Sequence, residues 1–158
     1  MTHFPDPATV DIPGFSFELP QGWEIIHPDR VLFCLIHQQP GFSPNTVVAL
    51  ERRSADLTDE TLMGEMSQYV ASLKNSRITA QQGGTNSRGQ DWNIVEYIYD
   101  HEIGTLAGSL AILTVKHDGV ADTYRFHSTV TGQTAAQDLR TIHEFLETVT
   151  LDEEEAER

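Results

Sequence analysis

The sequence predicts an α+β domain in which an antiparallel β-sheet is sandwiched between helices. Strand-like runs follow one another through short turns, so neighbouring strands must be antiparallel. Two amphipathic helical patterns occur in separate places rather than after every strand, which excludes a doubly wound parallel sheet. One strand is apolar at nearly every position, which indicates that helices cover both faces of the sheet.

The chain length fits a single domain. At 158 residues it can bury a sizeable core without disulfides or a structural metal. We divide it into an extended lead-in over residues 1–13, one domain over residues 14–151 and an acidic tail over residues 152–158. Prolines in the lead-in prevent a helix there, and the charge of the tail predicts that it is solvated.

The charge of the chain restricts its partners. Lys and Arg number 10 against 24 Asp and Glu, so the formal net charge is −14. A surface this acidic repels phosphate backbones and anionic lipids, which argues against nucleic acid partners. The sequence shows neither a membrane-spanning segment nor a signal peptide, so we expect no membrane insertion. As written the chain is expected in the cytoplasm, or outside it if a leader was removed, as a monomer or homodimer.

Three strands are predicted before the first helix. The segment FSFEL alternates apolar and polar residues and ends at a proline. The strand RVLFCLIHQ is the apolar one, and its Cys34 is interpreted as a buried apolar side chain rather than a nucleophile. A turn at Pro44 and Asn45 then leads into TVVALERR, whose Arg52 and Arg53 are interpreted as edge charges that discourage aggregation.

The first helix is predicted from a change of period after residue 58. Thr58 or Asp56 can cap its N-terminus, and the helix is expected to end near Lys74 and Asn75. The following segment RITAQQGGTNSRGQ predicts a short strand that runs into a glycine-rich loop. The apolar stripe of the helix comprises Leu62, Met66, Tyr69, Val70 and Leu73.

Three β runs come next, namely DWNIVEYIYDHE, TLAGSLAILTVKH and VADTYRFHSTV. Asp118 and Gly119 predict a two-residue hairpin between the last two runs, because glycine tolerates the positive φ that such a turn requires. This turn pairs His117 with Val120 and thereby fixes the register of the whole hairpin. The pairs on one face are Leu113 with Tyr124 and Ala111 with Phe126, and on the other face Ile112 with Arg125 and Leu110 with His127.

A second amphipathic helix closes the domain. Thr134 and Gln137 match a capping box at its start. The apolar positions recur at helical spacing and comprise Leu139, Ile142, Phe145, Leu146 and Val149.

Two segments together resemble a known family. FSFELPQGWE combines a strand ending in Leu-Pro with Gly-Trp, and FSPNTVVALERR opens a valine-rich strand with Phe-x-Pro-Asn. The pattern resembles the actinobacterial LpqN/LpqT lipoproteins, within the group that shares the fold of PsbP and Mog. The likeness extends from Phe15 to Leu151. Unlike those bacterial lipoproteins, the sequence shows no signal sequence or lipidated cysteine.

The resemblance implies a sheet between helices that serves as a non-catalytic binding or accessory module, linked in that family to the cell envelope. It implies a protein partner or a small amphipathic ligand. A related branch resembles chaperones of bacterial secretion effectors, which shield apolar client segments and are commonly dimers. This chaperone role is the alternative function, and an unrecognised hydrolase is a third hypothesis.

One face of the predicted sheet is the candidate binding surface, because it combines apolar bodies with polar tips. Alternatively the second helix simply packs on this face, with Arg125 and His127 near the sheet edge and their tips in water. The candidate residues are Tyr97, Tyr99, Leu110, Ile112, Arg125 and His127.

The sequence offers no recognisable catalytic or metal-binding pattern. His101, His117 and His127 lie on or near the last three strands, but no histidine pair has ligand spacing. There is no GxSxG motif and no phosphate-binding glycine loop. We therefore predict no enzyme activity, no catalytic residues, no metal and no cofactor.

Overall fold

The computed structural model describes residues 12–152, so the predicted lead-in up to residue 11 and the acidic tail from residue 153 lie outside the described residues. A short 3₁₀ turn, Gly132–Thr134, precedes the second helix. The elements are β1 Phe15–Ser16, β2 Glu24–Ile26, β3 Phe33–Ile36, β4 Asn45–Ser54, α1 Asp59–Ala71, β5 Arg77–Thr85, β6 Asp91–His101, β7 Gly104–His117, β8 Val120–Thr131, α2 Ala135–Thr148 and β9 Thr150–Leu151.

Seven strands form one antiparallel sheet in the order β2-β3-β4-β8-β7-β6-β5, and a helix covers each face. This confirms the predicted α+β class. The prediction that Arg125 and His127 lie toward the sheet edge is wrong, because β8 is the central strand. Its partner β4 comes from the first half of the chain, and that pairing aligns Val47 with His127 and Ala49 with Arg125.

The register of the β7–β8 hairpin is confirmed in every pair that the sequence predicted. His117 pairs with Val120, and the remaining rungs follow from that first pair. Asp118 and Gly119 both have positive φ, at 47° and 82°, as the tight turn between right-twisted strands requires.

Helix α1 packs on the face of the sheet that carries Tyr97, Leu110 and Ile112. Its N-terminus is capped by the Thr58 hydroxyl, which accepts a hydrogen bond from the backbone N–H of Thr61 at 3.1 Å. The helix ends at Ala71, about one turn earlier than the sequence predicted. The buried residues of the helix are Leu62, Met66 and Val70.

Helix α2 packs on the opposite face, over Phe126 of the central strand. The ring of Phe145 lies 5.9 Å from that of Phe126 in an edge-to-face arrangement. The predicted capping box is wrong, because the Thr134 side chain makes no cap hydrogen bond and instead donates to the carboxylate of Asp138 at 2.8 Å.

Several strands differ in extent from their prediction, and β3 covers only Phe33–Ile36 of the predicted run RVLFCLIHQ. The first strand is only Phe15–Ser16, and it pairs with β9 in a separate two-stranded sheet. Strand β5 is longer than predicted, since it continues through Gly83 and Gly84 while pairing with β6. All nine residues of β5 are exposed, so backbone pairing rather than side-chain burial holds this strand.

The predicted burial of Cys34 is confirmed, and so is the position of Arg52 and Arg53 on an edge of the sheet. Cys34 is buried, and burial raises the pKa of its thiol. Strand β4 pairs with β3 only up to Val48, so its second half forms an edge of the sheet within the described part of the chain. Arg52 and Arg53 lie on this edge segment, where Arg53 binds the α1 residue Glu65.

None of the helices in residues 12–152 is long and apolar enough to cross a membrane.

Candidate functional site

A cavity of about 330 Å³ lies between α1 and the central strands of the sheet. We call it the α1 pocket. Apolar groups from both the helix and the sheet form most of its wall. The lining residues are Val47, Ala49, Glu65, Met66, Tyr69, Leu110, Arg125 and His127.

The structure brings three of the six candidate residues to this pocket, namely Leu110, Arg125 and His127. Tyr97 is fully buried behind them and reaches His127. Ile112 is also fully buried, but it belongs to the core under α1 and does not line the cavity. Tyr99 is half-buried, and its ring centroid lies 5.9 Å from that of Tyr97.

The helix that covers the candidate face is α1, so the expectation that the second helix packs there is wrong. Helix α1 buries Tyr97, Leu110 and Ile112 but leaves a space over Arg125 and His127. The face therefore serves both as core and as the floor of a pocket.

Tyr97 and His127 form a short hydrogen bond, with 2.6 Å between the Tyr97 hydroxyl and Nε2 of His127. Burial lowers the pKa of His127, and the nearby Arg125 adds to this effect. Burial likewise raises the pKa of Tyr97, reinforced by the neighbouring Tyr69 and Tyr99. Both groups are therefore neutral near physiological pH, and the tyrosine hydroxyl donates to the unprotonated ring nitrogen.

Tyr69 of α1 stands beside this pair at the exposed side of the pocket. Its side chain is among the exposed large apolar groups, and its ring meets that of His127 edge-on at 5.3 Å. The Tyr69 hydroxyl lies 3.5 Å from the same Nε2 atom that bonds Tyr97. Tyr69 therefore lines the pocket with a partly exposed ring, and its contact with His127 is at the long limit of a hydrogen bond.

Four charged side chains surround the pocket rim. Arg53 donates two hydrogen bonds of 2.8 Å to Glu65, and these bonds hold the pKa of Glu65 below its usual range. Arg53 also donates to Glu51 at 3.2 Å. Among residues 12–152, Arg125 makes only a long ion pair with Glu51, at 3.7 Å, and its buried Nε has no hydrogen-bond partner.

The sequence did not identify five of the residues that line the pocket. Tyr69 and Met66 were recognised only as part of the apolar stripe of the first helix. Nothing in a local pattern says which sheet face a helix will cover, so their position over His127 was not predictable. The remaining three, Val47, Ala49 and Glu65, join the site only through the β4–β8 pairing and the placement of α1.

A second cavity, of about 770 Å³, lies on the other face of the sheet between α2 and the β5–β6 pair. We call it the α2 groove. Gly83 and Gly84 border it where β5 lacks side-chain bulk. His143 of α2 approaches the carboxylate of Glu96 at 2.9 Å in this groove. None of the six candidate residues lines it.

Asp91 and Asp59 form a carboxyl pair near the start of α1. Burial raises the pKa of Asp91 to about 6, and both a hydrogen bond with Asp59 and the repulsion between the two carboxylates add to this effect. Asn93 donates a hydrogen bond to Asp59 at 3.0 Å. Asp91 lines neither the α1 pocket nor the α2 groove, so this acid is not placed to act on a molecule bound in either cavity.

Within residues 12–152, no three His, Cys, Asp or Glu side chains come together in a group that could hold a metal ion. The α1 pocket itself contributes one histidine and one glutamate from that set.

The fold can be compared with known structures. The crystal structure of LpqN from Mycobacterium tuberculosis, described as involved in cell envelope biogenesis, superposes with a TM-score of 0.77 at 13% identity, over 95% of this chain and 88% of that chain. This chain has the LpqN fold. The resemblance found in the sequence motifs is thereby confirmed at the level of the fold. No family model matches the chain, and no curated protein matches it.

Two further structures share the LpqN-like architecture less closely. A Pseudomonas aeruginosa protein of unknown function gives a TM-score of 0.53 at 9% identity, over 91% of this chain and 87% of that chain. A structure from Bacteroides thetaiotaomicron gives 0.50 at 13% identity, over 87% of this chain and 45% of that chain.

Proposed function

We propose that this protein is a non-catalytic binding module that holds a small amphipathic molecule in the α1 pocket. The observation that carries the proposal is the cavity of about 330 Å³ between α1 and the sheet. Known small-molecule sites occupy about 300–1,000 Å³ and combine apolar walls with a few convergent polar groups. The α1 pocket has this size and this composition.

The chemistry of the lining supports an amphipathic ligand. Val47, Ala49, Met66 and Leu110 present apolar surface from two strands and a helix. The polar side chains of the lining include His127, which is neutral and already accepts a hydrogen bond from a buried tyrosine. An apolar tail gains free energy from leaving water along the walls, while a polar head meets the rim.

The same lining supports binding rather than catalysis. The residues around the cavity include no Ser, Thr or Cys that a base could activate. His127 is the natural general base, but its Nε2 is engaged by Tyr97. The perturbed carboxyl of Asp91 lies outside the cavity. We therefore propose that the bound molecule is held or handed over without covalent change.

The likeness to LpqN supports a role in the cell envelope. LpqN is described as involved in cell envelope biogenesis, and the two chains share the fold over nearly their whole lengths. We propose that this protein is likewise an accessory protein of envelope construction, which binds an amphipathic molecule or a protein that carries one.

Filling the α1 pocket should weaken binding without unfolding the protein. Ala49 lines the cavity from β4, so the Ala49→Phe side chain occupies the space that a ligand tail would use. With 1-octanol as the probe, we expect the dissociation constant measured by titration calorimetry to rise about tenfold, which corresponds to about 1.4 kcal/mol.

The matched control is Ala80→Phe, since Ala80 is exposed on β5, outside the α1 pocket. This variant should bind 1-octanol like the natural protein. Circular dichroism checks that both variants are folded. Equal octanol affinity in all three folded proteins would contradict the proposal.

A chaperone for secretion effectors is the second candidate, and one observation favours it. The edge strand β2 is exposed at all three residues, and Ile25 and Ile26 are 42% and 37% exposed. Leu32 before β3 is a further exposed apolar residue. An extended apolar segment of a client can add to such an edge as a strand. Ala49→Phe separates the two functions, because a client held on β2 does not enter the α1 pocket.

A further inference from the structure

We infer that the α1 pocket selects amphipathic molecules whose head carries a single carboxylate, and that Arg125 is the residue that binds this head. The inference rests on the proposed function, because it names the chemical class of the molecule that the pocket holds.

The first observation is the state of the Arg125 guanidinium. Arg125 lines the cavity, and among the described residues its buried Nε has no hydrogen-bond partner. An unpartnered buried donor costs free energy, and that cost is larger for a charged group. The ion pair from Nη2 to Glu51 spans 3.7 Å, which is too long for a hydrogen bond. The guanidinium therefore has donors left for another acceptor.

A carboxylate matches these donors in shape. Arginine presents parallel N–H groups that bind both oxygens of a carboxylate, with more strength than a neutral hydrogen bond. A hydroxyl offers only one acceptor oxygen to the same pair of N–H groups. An ammonium head group offers none and would be repelled by the guanidinium.

The other charged groups at the rim do not compete for the same ligand. Glu65 is held by two hydrogen bonds from Arg53, which leaves Arg53 saturated by protein carboxylates. His127 is kept neutral by burial and by Arg125, so it adds no second positive charge. Arg125 is thus the cation of the pocket lining with spare hydrogen-bonding capacity.

The surroundings also limit the charge of the head group to one. Glu51 and Glu65 flank Arg125, and the chain has a net charge of −14. A second negative charge on the ligand would face these carboxylates without a cation of its own, at a Coulomb cost that rises in the partly buried site. A monocarboxylate with an aliphatic tail fits, whereas phosphates and dicarboxylates do not.

Three probes of eight carbons each test the inference, namely octanoate, 1-octanol and octylamine, each titrated calorimetrically into the full chain near neutral pH. We expect octanoate to bind about tenfold more tightly than 1-octanol, as one charge-assisted bidentate contact predicts, and octylamine to bind most weakly. Arg125→Gln should remove this preference, so that octanoate binds to that variant no more tightly than 1-octanol does.

Two further variants complete the test. Arg125→Lys keeps the positive charge but loses the two parallel N–H donors, so its octanoate affinity should lie between those of the natural protein and Arg125→Gln. If Arg125→Gln does not fold, Arg125→Lys provides the test of Arg125 in its place. Arg77→Gln is the matched control, because Arg77 is exposed at the start of β5, and it should change nothing.

The outcomes separate this inference from the proposed function. Equal binding of octanoate and 1-octanol, or a preference for octylamine, overturns the carboxylate inference and leaves the proposed function standing. An octanoate preference that survives Arg125→Gln overturns the role of Arg125. Failure of all three probes to bind overturns the proposed function, and the inference with it.

Discussion

Replacing Gly108 with alanine should lower the free energy of unfolding by about 3 kcal/mol, at the upper end of the cost of overpacking a core. Gly108 of β7 pairs directly with Tyr97 of β6. A Cβ atom at this position would lie closer than 3.0 Å to ring and hydroxyl atoms of Tyr97. Tyr97 is fully buried under α1 and bonded to His127, so its ring has no free space into which it can move.

Chemical denaturation measures this loss, and Gly64→Ala provides a matched control. Gly64 lies on the exposed side of α1, where an added Cβ meets nothing within 4 Å. Alanine there should stabilise the protein by about 0.5–1 kcal/mol through its higher helix propensity. In a Tyr97→Ala background, Gly108→Ala should cost much less. An equal cost in both backgrounds would show that the clash with Tyr97 is not the cause.

Removing the carboxylate of Asp122 should destabilise the fold by about 3 kcal/mol. This value is the lower end of the cost of breaking a buried ion pair, and we choose it because the Arg52 side chain can still reach water. Asp122 is completely buried and accepts hydrogen bonds of 2.7 and 2.8 Å from Arg52. Nε2 of His117 lies 2.6 Å from the same carboxylate. Asp122→Ala therefore leaves two cationic side chains without their central partner.

The control for this substitution is Asp118→Asn. The Asp118 side chain is 74% exposed, and asparagine tolerates the positive φ of this turn position. We expect a change within about 0.5 kcal/mol, as for an exposed ion pair. A loss as large as that of Asp122→Ala would mean that the hairpin turn, rather than the buried carboxylate, carries the stability.

The Asp122 cluster should also give stability a defined pH dependence. Burial opposes the charge on His117, but its hydrogen bonds with Asp122 and Asp118 raise the pKa of the ring above 6.5. The contribution of His117 is therefore full below pH 6.5 and is lost as pH rises through the folded pKa. Burial likewise opposes the charge of Asp122, yet bonds from Arg52 and His117 lower its pKa below 3.8.

The contribution of Asp122 is consequently full above pH 3.8 and is lost as pH falls through its folded pKa. Between pH 3.8 and pH 6.5, His117 and Asp122 therefore both contribute fully to the stability. Unfolding free energies of the natural protein and His117→Gln, measured across this range and above it, should differ most at mildly acid pH and converge at higher pH. A difference that does not vary with pH would contradict the assigned charge on His117.

The part of the fold that sequence alone predicts best is the β7–β8 hairpin. Asp118 and Gly119 specify a two-residue turn, and a strand has a side-chain period of two, so one turn assigns every pair to a face. The buried stripes of both helices follow from their own periodicity in the same way.

The candidate site was only half predictable, because its assembly depends on contacts distant in sequence. Leu110, Arg125 and His127 were placed on one face by the hairpin register, and they do line the α1 pocket. Which helix covers that face is not encoded in a local pattern, so Tyr69 of α1 could not be assigned to the site. Likewise, the central place of β8 depends on its pairing with β4, about 80 residues away.

Occupancy of the α1 pocket is measured most directly by NMR of protein labelled at the methionine methyl groups, during titration with 1-octanol. Met66 lines the pocket, whereas Met63 on the same helix does not, so the two signals distinguish the cavity from the rest of α1. Binding in the pocket predicts a saturable shift of the Met66 signal with little change at Met63, and a shift in Ala49→Phe that requires about tenfold more 1-octanol. A Met66 signal that stays in place while 1-octanol binds elsewhere would contradict the proposed function.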